Sequence, residues 1–373
     1  MTSFLIIEKR IYLYHFSKMA ATDSRDDFKS ILIPGVGCEA FTDNVHTLLM
    51  TAGDCQVGKH SVRSELFANG EWRIQIGPSK QDVIHSTIRN RNVFLIASGA
   101  GHDSYSINDI IIQTLGMIDA CQRADAKSIT LIWLLFPYAR SDKKTVSREP
   151  IMASMLMGIL DNFDKLRRIV TMDIHSGQIQ GFTSRKAFTN LFANPCLDVA
   201  IKNCLTYEYP HDEVVLVSPD TGSIRRIRDY MKELSQFPVC SVTISKTRSY
   251  TQNNLVEQSV ISDAEKELVR GKTAIIIDDM IDTAGTIISS AKVLESAGAK
   301  RVIVIATHGI LSDPAIDRLN TCDLITKVMV TDTVDQTVHL TRCPKLSVVS
   351  VTSLVARYIQ CVLNGISLST LYE

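Results

Sequence analysis

The 373-residue sequence lacks a charge of dominant sign, a paired cysteine motif, an abundance of aromatics and any apolar run long enough to cross a bilayer. Its 40 Lys and Arg stand against 40 Asp and Glu, which removes the electrostatic reason to expect nucleic acid or an acidic membrane as a partner. With no spanning run, a transmembrane helix is excluded and no membrane association is expected. The nine cysteines are scattered, odd in number and without a C-x-x-C pair. That usage argues for a reducing compartment, here expected to be cytoplasmic, and against a zinc site. What the chain does have is 45% apolar residues, enough for two domain cores.

The stretch Ile275-Ile276-Ile277-Asp278-Asp279-Met280-Ile281-Asp282-Thr283-Ala284-Gly285-Thr286 organises the rest. Its apolar, β-branched front half suits a buried parallel strand, and its small, hydroxylated back half leads into a helical pattern at Ile287-Ile288. Amides converging on a helix N-terminus bind a dianionic phosphate, because unpaired N–H groups and the helix dipole both favour negative charge. Asp278 and Asp279 would repel that phosphate but suit vicinal hydroxyls, so the pairing suggests a sugar phosphate. An ordinary helix cap and turn is the alternative reading of the same residues.

Earlier in the chain, residues 1–30 do not share the later pattern and read as a disordered extension. Ser30 to Pro34 is a short strand, followed by Gly35-Val36-Gly37-Cys38-Glu39-Ala40. This imitates a dinucleotide fingerprint, with Asp54 as its acidic partner, but Ala40 replaces the third glycine and the reading is set aside. Asn69-Gly70, between Glu65 and Ile76, signals a hairpin displaying Phe67, Asn69 and Glu71, which could hold a purine or be incidental. Asn92 to Ala97 and Ser128 to Phe136 read as buried strands around an amphipathic helix from Ser106 to Ala124. Arg140, Lys143, Lys144 and Arg148 follow the second strand, where open α/β sheets bind ligands, and favour a polyphosphate. Glu149-Pro150 is expected to start a helix through Leu160.

After a strand from Arg168 to Met172, Asp173 and His175 at i, i+2 spacing are expected on one side of an extended segment, near a metal-phosphate complex. A second βα series begins near Pro195, with Ser218-Pro219-Asp220 ending one strand and Lys246-Thr247-Arg248 another. Ser249 to about Ser259 reads as a mobile loop. Gly271-Lys272-Thr273 precedes a strand and lacks the earlier glycine of a nucleotide-binding P-loop.

The Asp278 to Thr286 stretch resembles the phosphoribosyl diphosphate loop of the phosphoribosyltransferase fold, shared by nucleobase transferases and by the synthetase that makes their substrate. Further motifs resemble the second family alone: Phe67-x-Asn69-x-Glu71, Phe136 to Lys144, Asp173 to Phe182, Ser218-Pro-Asp220 and Lys246-x-Arg248. Over about Ile31 to Leu371 the chain is similar to the phosphate-activated class of ribose-phosphate pyrophosphokinases. A nucleobase transferase would leave the first 190 residues unexplained, and a non-catalytic relative is the other alternative.

The resemblance implies an α/β fold of two tandem phosphoribosyltransferase-like domains, each a mainly parallel sheet flanked by helices. It places the ATP domain at 31–192, the ribose 5-phosphate domain at 193–360 and a regulatory tail at 361–373. It implies transfer of the diphosphate of MgATP to ribose 5-phosphate, with Mg2+ as MgATP and as a second ion. Asp278, Asp279, Asp282, Thr283, Ala284, Gly285 and Thr286 would hold ribose 5-phosphate. Phe67, Asn69, Glu71, Arg140, Asp142, Lys143, Lys144 and His175 would hold ATP, with the hairpin reaching in from a neighbouring subunit. Asp173, His175 and Asp220 would serve the metal, and Lys246, Arg248 and His175 the chemistry. Inorganic phosphate as activator would meet Arg89, Arg148, Ser367 and Ser369 in a homo-oligomer of dimers building to a hexamer. Ser141, Thr145, Ser184, Thr189 and an insertion at 77–86 depart from the family and suggest altered nucleotide handling and ADP inhibition.

Overall fold

The computed structural model describes residues 28–53, 56–77, 87–102, 104–220, 222–251 and 254–372, without the side chains of 225, 246–251 and 254–258. The expectations for residues 1–27 and Asp54, and all but the first residue of the insertion at 77–86, lie outside the described residues.

The first half comprises strands β1 Ser30–Pro34, β2 Val57–Lys59, β3 Val62–Leu66, β4 Trp72–Ile76, β5 Asn92–Ala97, β6 Ser128–Trp133, β7 Leu166–Met172 and β8 Ala187–Leu191, with helices α1 Glu39–Ala52, α2 Ile107–Arg123 and α3 Met152–Asp161. The second half carries β9 Val214–Ser218, β10 Val239–Thr243, β11 Ser245–Thr251, β12 Asn254–Val260, β13 Thr273–Ile281, β14 Arg301–Gly309, β15 Ile325–Thr331 and β16 Leu346–Val349. Its helices are α4 Asn194–Asn203, α5 Ile224–Glu233, α6 Asp263–Val269, α7 Gly285–Ser296, α8 Ala315–Thr321, α9 Thr337–Arg342 and α10 Thr352–Asn364.

Two six-stranded sheets result, ordered β2-β1-β5-β6-β7-β8 and β10-β9-β13-β14-β15-β16. Every pairing within them is parallel. Each half inserts an antiparallel ribbon, β3–β4 or β11–β12, after its second sheet strand.

Alternation along the strands assigns the core. In β1, Ile31 and Ile33 join α2 and α3 on the outer face, while Leu32 points inward. In β13, Ala274 and Ile276 face α7 and α8, while Ile275 and Ile277 point inward. The inward faces of both sheets meet α1, α4, α5 and α10 in one continuous core, containing Phe41, Leu197, Tyr230 and the fully buried Tyr358. The halves therefore share a middle layer in addition to the separate outer-face core that each half carries. Burying one such side chain contributes about 1.5–3 kcal/mol, so this layer ties the halves together.

Several local expectations are corrected. The described residues of Ser249–Ser259 are strand, where a loop was expected: β11 and β12 pair there, setting Lys246 opposite Ser259 and Arg248 opposite Glu257. Leu255, Val256 and Val260 supply strand propensity that the polar average concealed. The Asn69-Gly70 hairpin closes wider than a two-residue turn, with the Phe67 N–H donating to Glu71 O and the Gly70 N–H to Phe67 O. Only Gly70 adopts a positive φ there, 84°. The helix after Pro150 begins at Met152 and not at the proline, because Ile151 is extended, φ −103° and ψ 91°, as the residue before the helix. The boundary at 361 cuts α10, which runs to Asn364 and ends in Gly365 at φ 67°.

Candidate active site

In the second sheet β9 accompanies β13 only as far as Val217 opposite Ile276, whereas β14 follows it to Ile281 opposite Gly309. The next strand lies beyond β9 on one side and beyond β13 on the other, which opens a crevice at the carboxyl ends of the two. A cleft of about 400 Å³ fills this position. Asp278 to Ile287 form one wall, Asp220, Ser223 and Arg226 another, and Arg140 and His175 of the first half close the third.

Between β13 and α7 the chain turns through Asp282, Thr283 and Ala284. Ala284 takes the left-handed conformation, φ 59°, as the residue before the helix, so α7 starts abruptly with its first-turn N–H groups at the cleft. The Arg318 guanidinium donates to the Thr283 carbonyl at 2.8 Å and fixes the turn from behind. Such an N-terminus favours an anion.

The carboxylates beside it are differentiated. His175 Nδ1 lies 2.6 Å from Asp279 Oδ2, which is nearly buried. That hydrogen bond raises the His175 pKa despite partial burial. Burial pushes Asp279 up, but the bond from His175 and the charges of Arg226 and His175 outweigh it and hold its carboxyl well below the usual range. Burial, then the neighbouring Asp279 charge, pushes Asp278 up to about 8, so the two neighbouring carboxylates are shifted in opposite directions. Burial pushes Asp282 up, but a hydrogen bond from Ser312 and then the Arg140 guanidinium, paired with it at 2.7 Å, hold it below its ordinary value.

With His175 Nδ1 engaged by Asp279, Nε2 is left for the cleft, the usual arrangement of an imidazole whose orientation is set by a carboxylate. Asp220 accepts the Gly222 and Ser223 N–H groups at 2.9 and 3.0 Å on Oδ1 alone, leaving Oδ2 for another partner. No cluster of three His, Cys, Asp or Glu poised for a metal occurs among the described residues. Asp220 Oδ2 and the His175 imidazole are donors of the kind that suit Mg2+ arriving with phosphate oxygens, since that ion is commonly held by one or two carboxylates plus substrate.

Other expected site residues lie elsewhere. Asp173 does not share a side with His175: its φ of 39° breaks the alternation, and its Oδ2 accepts from Thr307 Oγ1 at 2.6 Å and the Ala193 N–H at 3.0 Å. Asp142 is buried and receives Gln178 Nε2 at 2.6 Å, while Lys143 and Lys144 are exposed. Phe67, Asn69 and Glu71 sit at the exposed ribbon tip, outside the lining of this chain's cleft. Lys246 and Arg248 lie on β11, their side chains outside the described set. Arg89 precedes β5, Arg148 lies between β6 and α3, and Ser367 and Ser369 follow α10.

The departures from the family pattern have local partners. Ser141 Oγ accepts the Met152 N–H at the start of α3, Thr145 Oγ1 donates to Glu149 at 2.8 Å, and the Ser184 N–H donates to Asp161 at 2.9 Å. Arg226 was missed as a site residue: it lines the cleft with a guanidinium nitrogen 4.0 Å from Asp278. Its place in the first turn of the helix after Ser-Pro-Asp was the available signal.

An open crevice bounded by an acidic pair and an anion-ready helix start, on a doubly wound parallel sheet, defines a phosphoribosyltransferase-like α/β protein. Residues 31–163 match the N-terminal domain of ribose phosphate pyrophosphokinase, and 252–373 match the phosphoribosyl synthetase-associated domain. The ribose-phosphate pyrophosphokinase of Prochlorococcus marinus subsp. pastoris is 36% identical over 311 residues, covering 83% of this chain and 85% of that protein. That of Mycobacterium tuberculosis is 35% identical over 350 residues, covering 89% and 98%. The crystal structure of phosphoribosylpyrophosphate synthetase from Mycobacterium smegmatis superposes with a TM-score of 0.75 at 34% identity, covering 90% of this chain and all of that one. The chain belongs to the ribose-phosphate pyrophosphokinase family.

Proposed function

We propose that this protein moves the diphosphate of MgATP to the C1 hydroxyl of ribose 5-phosphate, giving 5-phosphoribosyl 1-diphosphate and AMP. The observation that carries this reading is the cleft of the second half, where Asp278, Asp279 and the Thr283–Thr286 turn meet Arg140 and His175 of the first. In this reading 31–192 is the nucleotide half and 193–360 the sugar half. The 5-phosphate sits on the N–H groups that open α7, and the ring hydroxyls meet Asp278 and Asp279. Asp278, whose carboxyl is pushed up, and Asp279, whose carboxyl is held down, would each meet a sugar hydroxyl, and Asp279 orients His175.

When bound, Mg2+ would neutralise phosphate charge, held by Asp220 and His175 together with substrate oxygens. Positioning and charge neutralisation dominate such a transfer. Arg140 reaches the cleft from the nucleotide side. Lys246 and Arg248 would approach the transferred group from the β11–β12 ribbon. The exposed Phe67, Asn69 and Glu71 tip, outside the lining of its own cleft, suits adenine bound by a neighbouring copy, so the working unit in this reading is a homo-oligomer, acting in the cytoplasm. Inorganic phosphate as activator would meet Arg89, Arg148, Ser367 and Ser369 contributed by different copies.

Incubation with MgATP and ribose 5-phosphate should release AMP and 5-phosphoribosyl 1-diphosphate in equal amounts. AMP release independent of ribose 5-phosphate, or none at saturating inorganic phosphate with the oligomer intact, contradicts the reading.

A further inference from the structure

Behind the cleft, the ends of β7 and β14 are joined by buried polar groups that the proposed chemistry leaves unused. His308 is 1% exposed. Its Nε2 lies 2.9 Å from the Met172 carbonyl, which can only accept, so the proton is on Nε2 and Nδ1 accepts from Thr333 Oγ1 at 2.9 Å. Thr307 Oγ1 donates across the same seam to Asp173 Oδ2, and Ser98 Oγ in the first half donates to the Thr333 carbonyl at 2.7 Å. The Thr331 hydroxyl donates to the Thr307 carbonyl at 2.6 Å and holds β15 to β14 at this point. Breaking such a buried bond leaves a polar group unpaired, so sliding one half past the other breaks several at once.

The seam is one short step from the site. Asp173, turned inward by its positive φ, is two residues before His175. Ala306 of β14 pairs with Asp278 of β13, so Thr307 and His308 flank the strand end that bears Asp279. His175 and Asp279 come from different halves, and their 2.6 Å contact bridges the two.

We propose that Thr307, His308 and Thr333, with Asp173 and Ser98 across the seam, are positioning residues that hold the halves in the register where His175 meets Asp279. They touch no substrate; they fix the aim of the nucleotide half onto the sugar half. This rests on the reading under Proposed function.

The test compares Thr307→Val, which keeps the shape and removes the hydroxyl, with Thr307→Ser, which keeps the hydroxyl, each alone and with Asp279→Asn. Thr307→Val should lower kcat by roughly tenfold to a hundredfold with KM changed about twofold at most, and Thr307→Ser should restore kcat. In the Asp279→Asn background the valine should cost under about twofold more, because the contact it serves is already lost. Hydrogen exchange, which needs no turnover, should quicken at 173–176 and 278–281 in Thr307→Val and not in Thr307→Ser. Ser98→Ala gives the same pattern more weakly should the valine variant fail to fold. A lowered Tm with kcat per folded molecule unchanged, equal losses in both backgrounds, or unchanged exchange at those segments would overturn the proposal. No AMP from the unsubstituted protein defeats the proposed reaction, and unchanged exchange defeats the seam.

Discussion

The two halves repeat one plan, with the same strand order and a ribbon inserted at the same place, yet they treat the crevice beside their first strand differently. In the first half it is packed shut by glycines. A Cβ on Gly99 would stand 2.3 Å from the Leu135 carbonyl oxygen, one on Gly35 3.1 Å from Ala97, and one on Gly37 2.8 Å from the His102 ring. In the second half the same position is open and lined by Asp220, Arg226, Asp278 and Asp279. The topology supplies a crevice twice, and side chains decide which is a site. The closed half contributes instead the groups beyond its later strands, Arg140 and His175.

The largest test of this division compares the two ribbons. Lys246→Ala on β11 should cut kcat by about 10²–10³ with little change in KM. Phe67→Ala at the tip of β3–β4 should instead raise the KM for ATP by about tenfold, leaving kcat nearly intact. Steady-state kinetics with each substrate varied separate the two, and a Lys246→Ala effect confined to KM would break the contrast between ribbons.

A pair of glycine substitutions comes next. Gly99→Ala should destabilise by about 2–3 kcal/mol, read by urea unfolding, because its new methyl meets backbone. Gly285→Ala meets nothing closer than 3.6 Å and should leave stability within about 0.5 kcal/mol while raising the KM for ribose 5-phosphate severalfold. Equal stability losses would mean that the two crevices are not packed differently.

The shared middle layer gives the smallest and most specific effect. Burial on α4, followed by the Glu233 charge, pushes Asp198 up to about 7; Lys202 opposes this and Asp229 adds to it. Between its ordinary pKa near 4 and 7 the folded state keeps a proton that the unfolded chain has released, so stability falls as pH rises through that window. Asp198→Asn removes the slope and should gain on the order of 2 kcal/mol relative to the unsubstituted protein between pH 5 and pH 8. Parallel Tm profiles for the two proteins would exclude the effect.

Much of this was legible in the residues. Apolar runs such as Val93 to Ala97 and Ala274 to Ile277 announced the buried strands, and the Asp-Asp turn before Gly285 announced the open crevice. Tightness around Gly99 was not legible, because it depends on Leu135 and Pro137 from the next strand's end. The seam was invisible for the same reason. His308 extends an apolar strand beyond Ala306, and its partner Met172 is separated by 136 positions. Asp173 looked like a ligand beside His175 because spacing assumes an extended chain, and its φ of 39° turns it toward Thr307. The β11–β12 ribbon was hidden by polar composition, since pairing between neighbours needs alternation more than apolarity.

The most direct measurement is a crystal structure of the protein soaked with ribose 5-phosphate. The phosphate should lie on the N–H groups of Thr283 to Thr286, with the 2- and 3-hydroxyls within hydrogen-bond reach of Asp278 and Asp279. A sugar phosphate seated instead at the Gly35–Gly37 turn, or away from both crevices, would contradict the account.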